Sequence, residues 1–217
     1  MTHAGALRTL AGLLLACPSA PLAAQDMATM ESGHHRMSFT PRRAGTPADT
    51  ARALAVVHTL RSAIARYPTL AEAESAGFRS RLPEAMRQRR RLLHVGRPGR
   101  RPATAGFDPA APQALLYRRD PSGDFVLAGA MFVAPEGATE DDLDASIPLS
   151  VARWHRHLDV CRGPKGEMKL RDRRATTASA CEAVGGRFRS ESRYMVHVIV
   201  DAGDDLAAAF PQGAELD

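Results

Sequence analysis

The spacing of apolar residues in the first half of the chain has the period of an amphipathic helix. Apolar side chains recur at intervals of four, three and four residues, at Ala53, Val57, Leu60 and Ile64. Thr46, Pro47 and Asp49 provide a hydroxyl cap, a proline in the first turn and an acid at the third position. The pattern therefore predicts a helix that begins after Thr46 and ends at Tyr67-Pro68.

Shorter helical signals follow at three places in the chain. Thr69 and Glu72 repeat the pairing of hydroxyl cap and acid, which predicts a second helix that ends at Gly77. Residues 139–144 predict an acidic helical turn, and residues 177–184 predict a helix that a Gly-Gly pair ends. The N-terminal pair of helices is thus the main helical element.

Four segments have the composition and alternation of β-strands. They are residues 114–118, 125–133, 153–160 and 194–200. The sequence Asp-Pro-Ser-Gly at 120–123 joins the first two segments and is typical of a hairpin. We therefore predict one α+β domain over residues 46–217, with a small antiparallel sheet of about four strands. The N-terminal helix pair and the short helices are expected to pack on one side of this sheet.

The N-terminal residues 1–24 have the pattern of a secretory signal peptide. Arg8 precedes a short apolar stretch, and small residues precede a polar segment, with cleavage expected after Ala24. The alternative is lipoprotein processing, with Cys17 as the acylated residue. The apolar stretch is too short to cross a bilayer, and no span is predicted in the mature chain. These features predict a periplasmic or extracellular protein.

Residues 25–45 are polar and lack an apolar period, which predicts a flexible arm. The arm contains a small group of thioether and imidazole side chains, at Met27, Met30, His34, His35 and Met37. These ligand types suit copper, so the arm is a candidate site for capturing the ion. A chance cluster of residues in a tail is the alternative.

Cysteine usage agrees with export from the cytoplasm. Apart from Cys17, the chain has only Cys161 and Cys181, an even pair that predicts a disulfide in an oxidising compartment. Closing a loop of this length would stabilise the fold by about 3 kcal/mol. The alternative makes the thiolates metal ligands, although their separation fits no compact zinc-binding motif.

Arginine accounts for most of the positive charge of the chain, whose formal net charge is +5. Nine arginines lie within residues 79–101, where Glu84 is the only acid. The run of Arg87, Arg89, Arg90 and Arg91 is a candidate contact with an anionic surface or an envelope protein, although a solvated loop or helix face is the favoured interpretation. No aromatic residues interleave this run, which argues against nucleic-acid binding.

Three histidines in the C-terminal third form the main candidate site. Side chains at alternate positions of a strand share a face, so His155 and His157 are expected to point the same way. With His197 from another strand they would form a set of three nitrogen ligands for copper or zinc. His94 is a possible fourth ligand, and Asp159 is a possible partner that orients one of the rings.

The motifs around these histidines also form a recognisable set. They read Trp-His-x-His-x3-Cys from residue 154, Cys-x3-Gly-Gly-x-Phe from residue 181 and Met-Val-His-Val from residue 195. Over residues 107–200 the chain resembles an uncharacterised family of secreted bacterial proteins that carries these motifs. The resemblance implies no activity. Arg193-Tyr194 stands where the family usually has Gly-Trp, which alters the apolar wall beside the histidine.

The sequence therefore predicts an exported protein that binds copper or zinc through a histidine cluster. One alternative is a metal-free envelope domain in which the histidines form internal hydrogen bonds. A further alternative is a zinc-dependent hydrolase or hydratase with an open coordination position. The residues identify no general base or nucleophile beside the histidines, so the sequence leaves enzymatic activity open.

Overall fold

A single antiparallel sheet with helices forms the protein. The structure, a computed structural model, describes residue 1 and residues 29–32, 35–98, 107–163 and 177–211. The strands are β1 Thr29–Ser32, β2 His35–Phe39, β3 Leu92–Gly96, β4 Ala114–Arg119, β5 Phe125–Val133, β6 His155–Arg162, β7 Arg187–Glu191 and β8 Met195–Ile199. The helices are α1 Pro47–Ile64, α2 Leu70–Ser75, α3 Glu84–Arg87, α4 Glu140–Ser146, α5 Ala178–Ala183 and α6 Leu206–Ala209. Residues 2–24 of the predicted signal peptide lie outside the described part of the chain.

The order of strands in the sheet is β1-β2-β6-β8-β5-β4-β3. Strand β6 is central to this arrangement because it pairs with β2, with β7 and, through His155 opposite Met195, with β8. All of these pairings are antiparallel. The mixed α and β composition that was predicted is therefore present.

Threonine caps begin α1 and α2 as the sequence predicted. Thr46 accepts a hydrogen bond from the backbone N–H of Asp49, whose carboxylate in turn accepts from the Thr46 N–H. Thr69 at the start of α2 and Thr139 at the start of α4 make the same reciprocal pair of bonds. Each cap satisfies backbone donors that the first turn leaves without an intrahelical acceptor.

The sheet is larger than the predicted sheet of about four strands. All four predicted strands are present, as β4, β5, β6 and β8, but β1, β2, β3 and β7 add to them. Strand β7 escaped prediction because its sequence is Arg-Phe-Arg-Ser-Glu and most of it is exposed. Strand β3 has only five residues and precedes a proline- and arginine-rich segment that reads as a loop.

The predicted flexible arm differs from the structure over the residues of β1 and β2. Strand β2 pairs with β6 along its length, so the sheet supplies hydrogen bonds that the local sequence does not reveal. Met37 and Phe39, at alternate positions of β2, are only 3% and 7% exposed. A segment with few apolar residues thus joins the sheet, with Met37 and Phe39 at alternate positions as its buried side chains.

The main hydrophobic core lies on the face of the sheet that the helices cover. The apolar stripe of α1 predicted from its spacing packs there, together with buried residues of α2, α4 and α6. The strands contribute alternate residues to this core, namely Leu93, Val95, Leu115, Tyr117, Ala130, Phe132, Val196 and Val198. A smaller cluster contains Leu92, Leu116 and Ile199, from the intervening strand positions, together with Ala128. Since side chains alternate along a strand, the smaller cluster marks the opposite face.

Trp154 anchors the start of β6 in the main core. Its side chain is 1% exposed and packs edge-on against Phe107, with ring centroids 6.4 Å apart. The backbone N–H of Thr40 donates to the Trp154 carbonyl at 2.9 Å, and the Trp154 N–H donates to the Thr40 hydroxyl at 3.1 Å. Because Trp154 points into the helix-covered core, the next residue, His155, points to the opposite face.

Candidate functional site

Four histidines from three strands meet on the sheet face opposite the helices. The rings of His155 and His157, from β6, have centroids 5.7 Å apart. His197, from β8, lies 5.2 Å from His155, and His94, from β3, lies 5.1 Å from His197, both measured between ring centroids. The structure thus brings together the three histidines and the possible fourth one that the sequence singled out.

The contact between His94 and His197 requires a strongly curved sheet. Strands β4 and β5 lie between β3 and β8, so a flat sheet would place the two backbones about 14 Å apart. Yet the Nε2 atoms of the two rings are 2.9 Å apart, close enough for one ring to donate a hydrogen bond to the other. The sheet therefore curls toward this face, and the histidines lie on its inner side.

Two local features of β5 accompany this curvature. Leu116 is opposite Gly129 and Tyr117 is opposite Leu127, so Ala128 is an extra residue that forms a β-bulge. Bulges bend a strand and increase its twist. A Cβ atom on Gly129 would lie 2.0 Å from the Val198 carbonyl oxygen, so β8 approaches β5 more closely than any side chain at this position would permit.

The histidines are shielded from solvent, and this controls the protonation of His197. His155 and His197 are 9% and 8% exposed, and His94 and His157 are partly buried. Burial lowers the pKa of His197 well below its ordinary value, and the neighbouring His94, His155 and His157 lower that pKa further. His197 is therefore a neutral imidazole at neutral pH, the form that binds transition metals.

The depressed pKa of His197 predicts that chelator-treated protein loses stability in mild acid. The unfolded chain protonates this histidine near pH 6.5, whereas the folded chain protonates it only at lower pH. The free energy of unfolding should consequently fall below about pH 6.5, by up to about 1.4 kcal/mol per pH unit for this group. Denaturant titrations between about pH 7 and 5 measure the slope.

A His197→Gln variant should have a shallower pH dependence in the same titrations, because the titrating group is gone. His58→Gln is the matched control, since His58 is exposed on α1 and bonded to Asp204 at 2.8 Å, outside the cluster. Equal slopes for wild type and His197→Gln would contradict the prediction.

Three of the six ring spacings in the cluster, those between His94 and His197, His197 and His155, and His155 and His157, are close to those of imidazoles that share an ion. Rings bound through nitrogen at about 2.0–2.1 Å in a tetrahedral site would have centroids about 5.2 Å apart and nitrogens about 3.3 Å apart. The centroid distances of 5.1–5.7 Å are near the first value, but the 2.9 Å between the His94 and His197 nitrogens is a hydrogen bond. In the described ranges, no three histidine, cysteine or acidic side chains already surround one point at bonding distance. Side-chain rotations that replace this hydrogen bond would be needed to bind an ion.

Thioether and aromatic side chains share the face with the histidines. Residues directly opposite on antiparallel strands point to the same face. Phe39 is opposite His155 on β2, and their rings are 5.8 Å apart. Met37, Met131 and Met195 are each opposite one of the histidines. Of these, Met131 and Met195 were not identified from the sequence, although Met195 lies two residues from His197 and so has the same strand parity.

Asp159, the predicted partner of a histidine ring, is engaged elsewhere. Its carboxylate accepts a hydrogen bond from the Arg36 guanidinium at 2.8 Å in a partly exposed ion pair. The backbone of Asp159 has a φ of 53°, a left-handed conformation that interrupts the strand alternation. The parity on which its predicted role depended therefore does not extend to this residue.

The candidate ligands of the N-terminal arm have different placements. Met27 and His34 lie outside the described residues, whereas Met30 is in β1 and His35 begins β2. Only Met37 of this group has a described side chain, and it is opposite His157 in the sheet. One arm residue therefore belongs to the same face as the histidine cluster.

The arginine run is divided between internal ion pairs and solvent. Arg87, on α3, pairs with Glu74 at 3.2 Å and with Glu84 at 3.4 Å. Arg89 and Arg91 are exposed and Arg90 is partly buried. Part of the predicted anionic contact surface is therefore already neutralised by acids of the same chain.

The predicted disulfide between Cys161 and Cys181 is confirmed. It joins the end of β6 to α5, with Cα atoms 5.6 Å apart, and its sulfurs pack with Val184 and Phe188. A Cβ atom on Gly186 would lie 2.4 Å from one sulfur and 2.7 Å from the other, so only glycine fits at this position. The cysteines are therefore part of the fold and are not metal ligands.

Comparisons with known proteins leave the chain without an assigned relative. No protein-family model, no curated protein and no solved structure matches it. The resemblance inferred from the histidine and cysteine motifs accordingly stays a prediction. None of the helices in the described ranges has both the length and the hydropathy of a bilayer-spanning segment.

Proposed function

We propose that this protein is exported and binds a transition metal ion, copper or zinc, through His94, His155, His157 and His197. The observation that carries the proposal is the contact of four imidazoles on the inner face of a curved sheet. Imidazole is a preferred ligand of both ions. The disulfide supports the proposed periplasmic or extracellular location, because such bonds persist in oxidising compartments.

The burial of these histidines favours a binding role over a purely structural one. Burying a polar ring costs free energy unless the ring is hydrogen-bonded, and apolar side chains could fill the same space without that requirement. The cluster also disfavours protonation of His197, because a positive charge on any neighbouring imidazole would repel a second positive charge on His197. Groups whose pKa values are shifted by burial and by several titratable neighbours concentrate at functional sites.

Metal content of purified protein tests this proposal. The mature chain, made without a polyhistidine tag, should retain one copper or zinc ion after exposure to the metal and desalting. A His155→Gln/His197→Gln variant should bind at least about tenfold more weakly, since loss even of groups that only support metal ligands costs 10–100-fold. Glutamine approximates the size of the ring, which limits the disturbance of packing.

His58→Gln is again the matched control, because the side chain of His58 is 51% exposed and lies on α1. Its metal content should equal that of the wild type. Circular dichroism and the thermal midpoint verify that each variant is folded. Equal metal content in wild type and the folded double variant would reject coordination by the cluster. Absence of bound metal from both proteins would favour a metal-free binding domain.

A further inference from the structure

Methionine thioethers surround the histidine cluster in a regular cross-strand arrangement. Met37 is directly opposite His157, Met131 is opposite His197 and Met195 is opposite His155. Building on the proposed metal-binding function, we propose that the site is selective for monovalent copper and that Met37, Met131 and Met195 supply thioether ligands. No such role follows from the histidines alone, which suit zinc and copper equally.

The sheet places these sulfurs within reach of the imidazoles. The four strands that carry the three pairs, β2, β6, β8 and β5, are consecutive neighbours in the sheet. Side chains directly opposite each other on antiparallel strands have Cβ atoms about 4.5–5.5 Å apart. The flexible methionine side chain, with three rotatable bonds, can then direct its sulfur toward an ion held by the imidazole opposite it.

The burial of Met37 supports a role beyond filling the hydrophobic core. Its side chain is 3% exposed, yet among the described residues it belongs to neither the main core nor the smaller cluster on the histidine face. Its cross-strand neighbour is instead an imidazole, His157. Met131 and Met195 are partly buried on the same face, and Met131 also contacts the smaller apolar cluster.

Ligand chemistry favours monovalent copper at such a face. Thioether sulfur is a soft, neutral ligand that suits Cu(I), whereas zinc sites in proteins use thiolate, imidazole and carboxylate groups. The cysteines are in a disulfide, and the nearby Asp159 carboxylate binds Arg36. A site built from neutral ligands compensates the lost hydration of a single positive charge more readily than that of a double charge.

The test compares the affinities of Cu(I) and Zn(II) in the mature, disulfide-bonded protein. Competition with a chromophoric chelator, under anaerobic conditions for Cu(I), gives both affinities. A Met37→Leu/Met131→Leu/Met195→Leu variant keeps apolar side chains of similar volume but lacks sulfur. We expect its Cu(I) affinity to fall at least about tenfold while its Zn(II) affinity changes by less than about twofold. Met86→Leu, on α3 and outside the sheet, is the control and should leave both affinities unchanged.

The outcomes separate this inference from the proposed function. Unchanged Cu(I) affinity in the triple variant, or an equal loss for both ions, would overturn the thioether role while leaving metal binding by histidine intact. Absence of binding of either ion by the wild type would overturn both proposals. Should the triple variant fail to fold, the three single Leu variants decide, because at least one must weaken Cu(I) without weakening Zn(II).

Discussion

Replacing Gly129 by alanine is expected to be among the most destabilising single changes in this protein. The added Cβ would lie 2.0 Å from the Val198 carbonyl oxygen and 2.9 Å from the Ile199 Cα. Both atoms are backbone of β8, so relief requires the strands to separate. Forcing extra volume into a packed interior typically costs about 1–3 kcal/mol and occasionally more, and a rigid backbone contact belongs to the upper end. Urea or guanidinium titration measures the loss.

Gly96→Ala is the matched control for this change, because Gly96 is also in the sheet. A Cβ there would meet its nearest atoms, Gln113 O and Ala114 Cβ, at 3.4 and 3.9 Å, which are ordinary contacts. It should change stability by no more than about 0.5 kcal/mol. A Gly129→Ala protein as stable as Gly96→Ala would show that β5 and β8 are not packed as described. Since His197 is on β8, Gly129→Ala should also weaken the proposed metal binding.

Removal of the disulfide should produce a loss of similar size. The bond joins residues 20 positions apart, for which the loop-entropy model gives about 3 kcal/mol. The Cys161→Ala/Cys181→Ala variant should therefore unfold at a lower denaturant concentration than the wild type. Its loss in free energy of unfolding should be close to the loss caused by reducing the wild-type disulfide. A difference below about 0.5 kcal/mol would contradict this expectation.

The position of Gly186 provides a second check on the disulfide. With the bond present, Gly186→Ala should be strongly destabilising, because its Cβ would lie 2.4 Å from the Cys161 sulfur. In the Cys161→Ala/Cys181→Ala background both sulfurs are absent, and the same substitution should cost less. If the destabilisation by Gly186→Ala is the same with and without the disulfide, the direct contact between residue 186 and the sulfurs is contradicted.

Local signals in the sequence were sufficient for much of the fold. The repeated pairing of threonine with an acid three residues later predicted the starts of α1 and α2, because capping depends only on neighbouring residues. Strand parity predicted that His155 and His157 share a face, and the structure agrees. These inferences need no knowledge of distant parts of the chain.

Long-range features of the site required the structure. His94 and His197 touch only because the sheet curls across two intervening strands, and the bulge at Ala128 and the close approach of β8 at Gly129 accompany that curvature. The sequence of β2 has no apolar period. Its pairing with β6, which places Met37 beside His157, therefore could not be predicted from the sequence. At Asp159 the sequence led to a wrong expectation. Strand alternation suggested that its side chain shares a face with His155 and His157, but its left-handed backbone breaks that alternation.

Nuclear magnetic resonance of the imidazole nitrogens tests the central claim most directly. Both Cu(I) and Zn(II) are diamagnetic, so ¹⁵N-histidine protein can be observed as one equivalent of either ion is added. We predict that ring-nitrogen signals of His94, His155, His157 and His197 shift together and saturate at one ion per chain, with His58 unchanged. Coordination by the cluster would be contradicted if the protein is saturated with the ion and these four signals do not move. It would also be contradicted if only the signals of His34 and His35 shift.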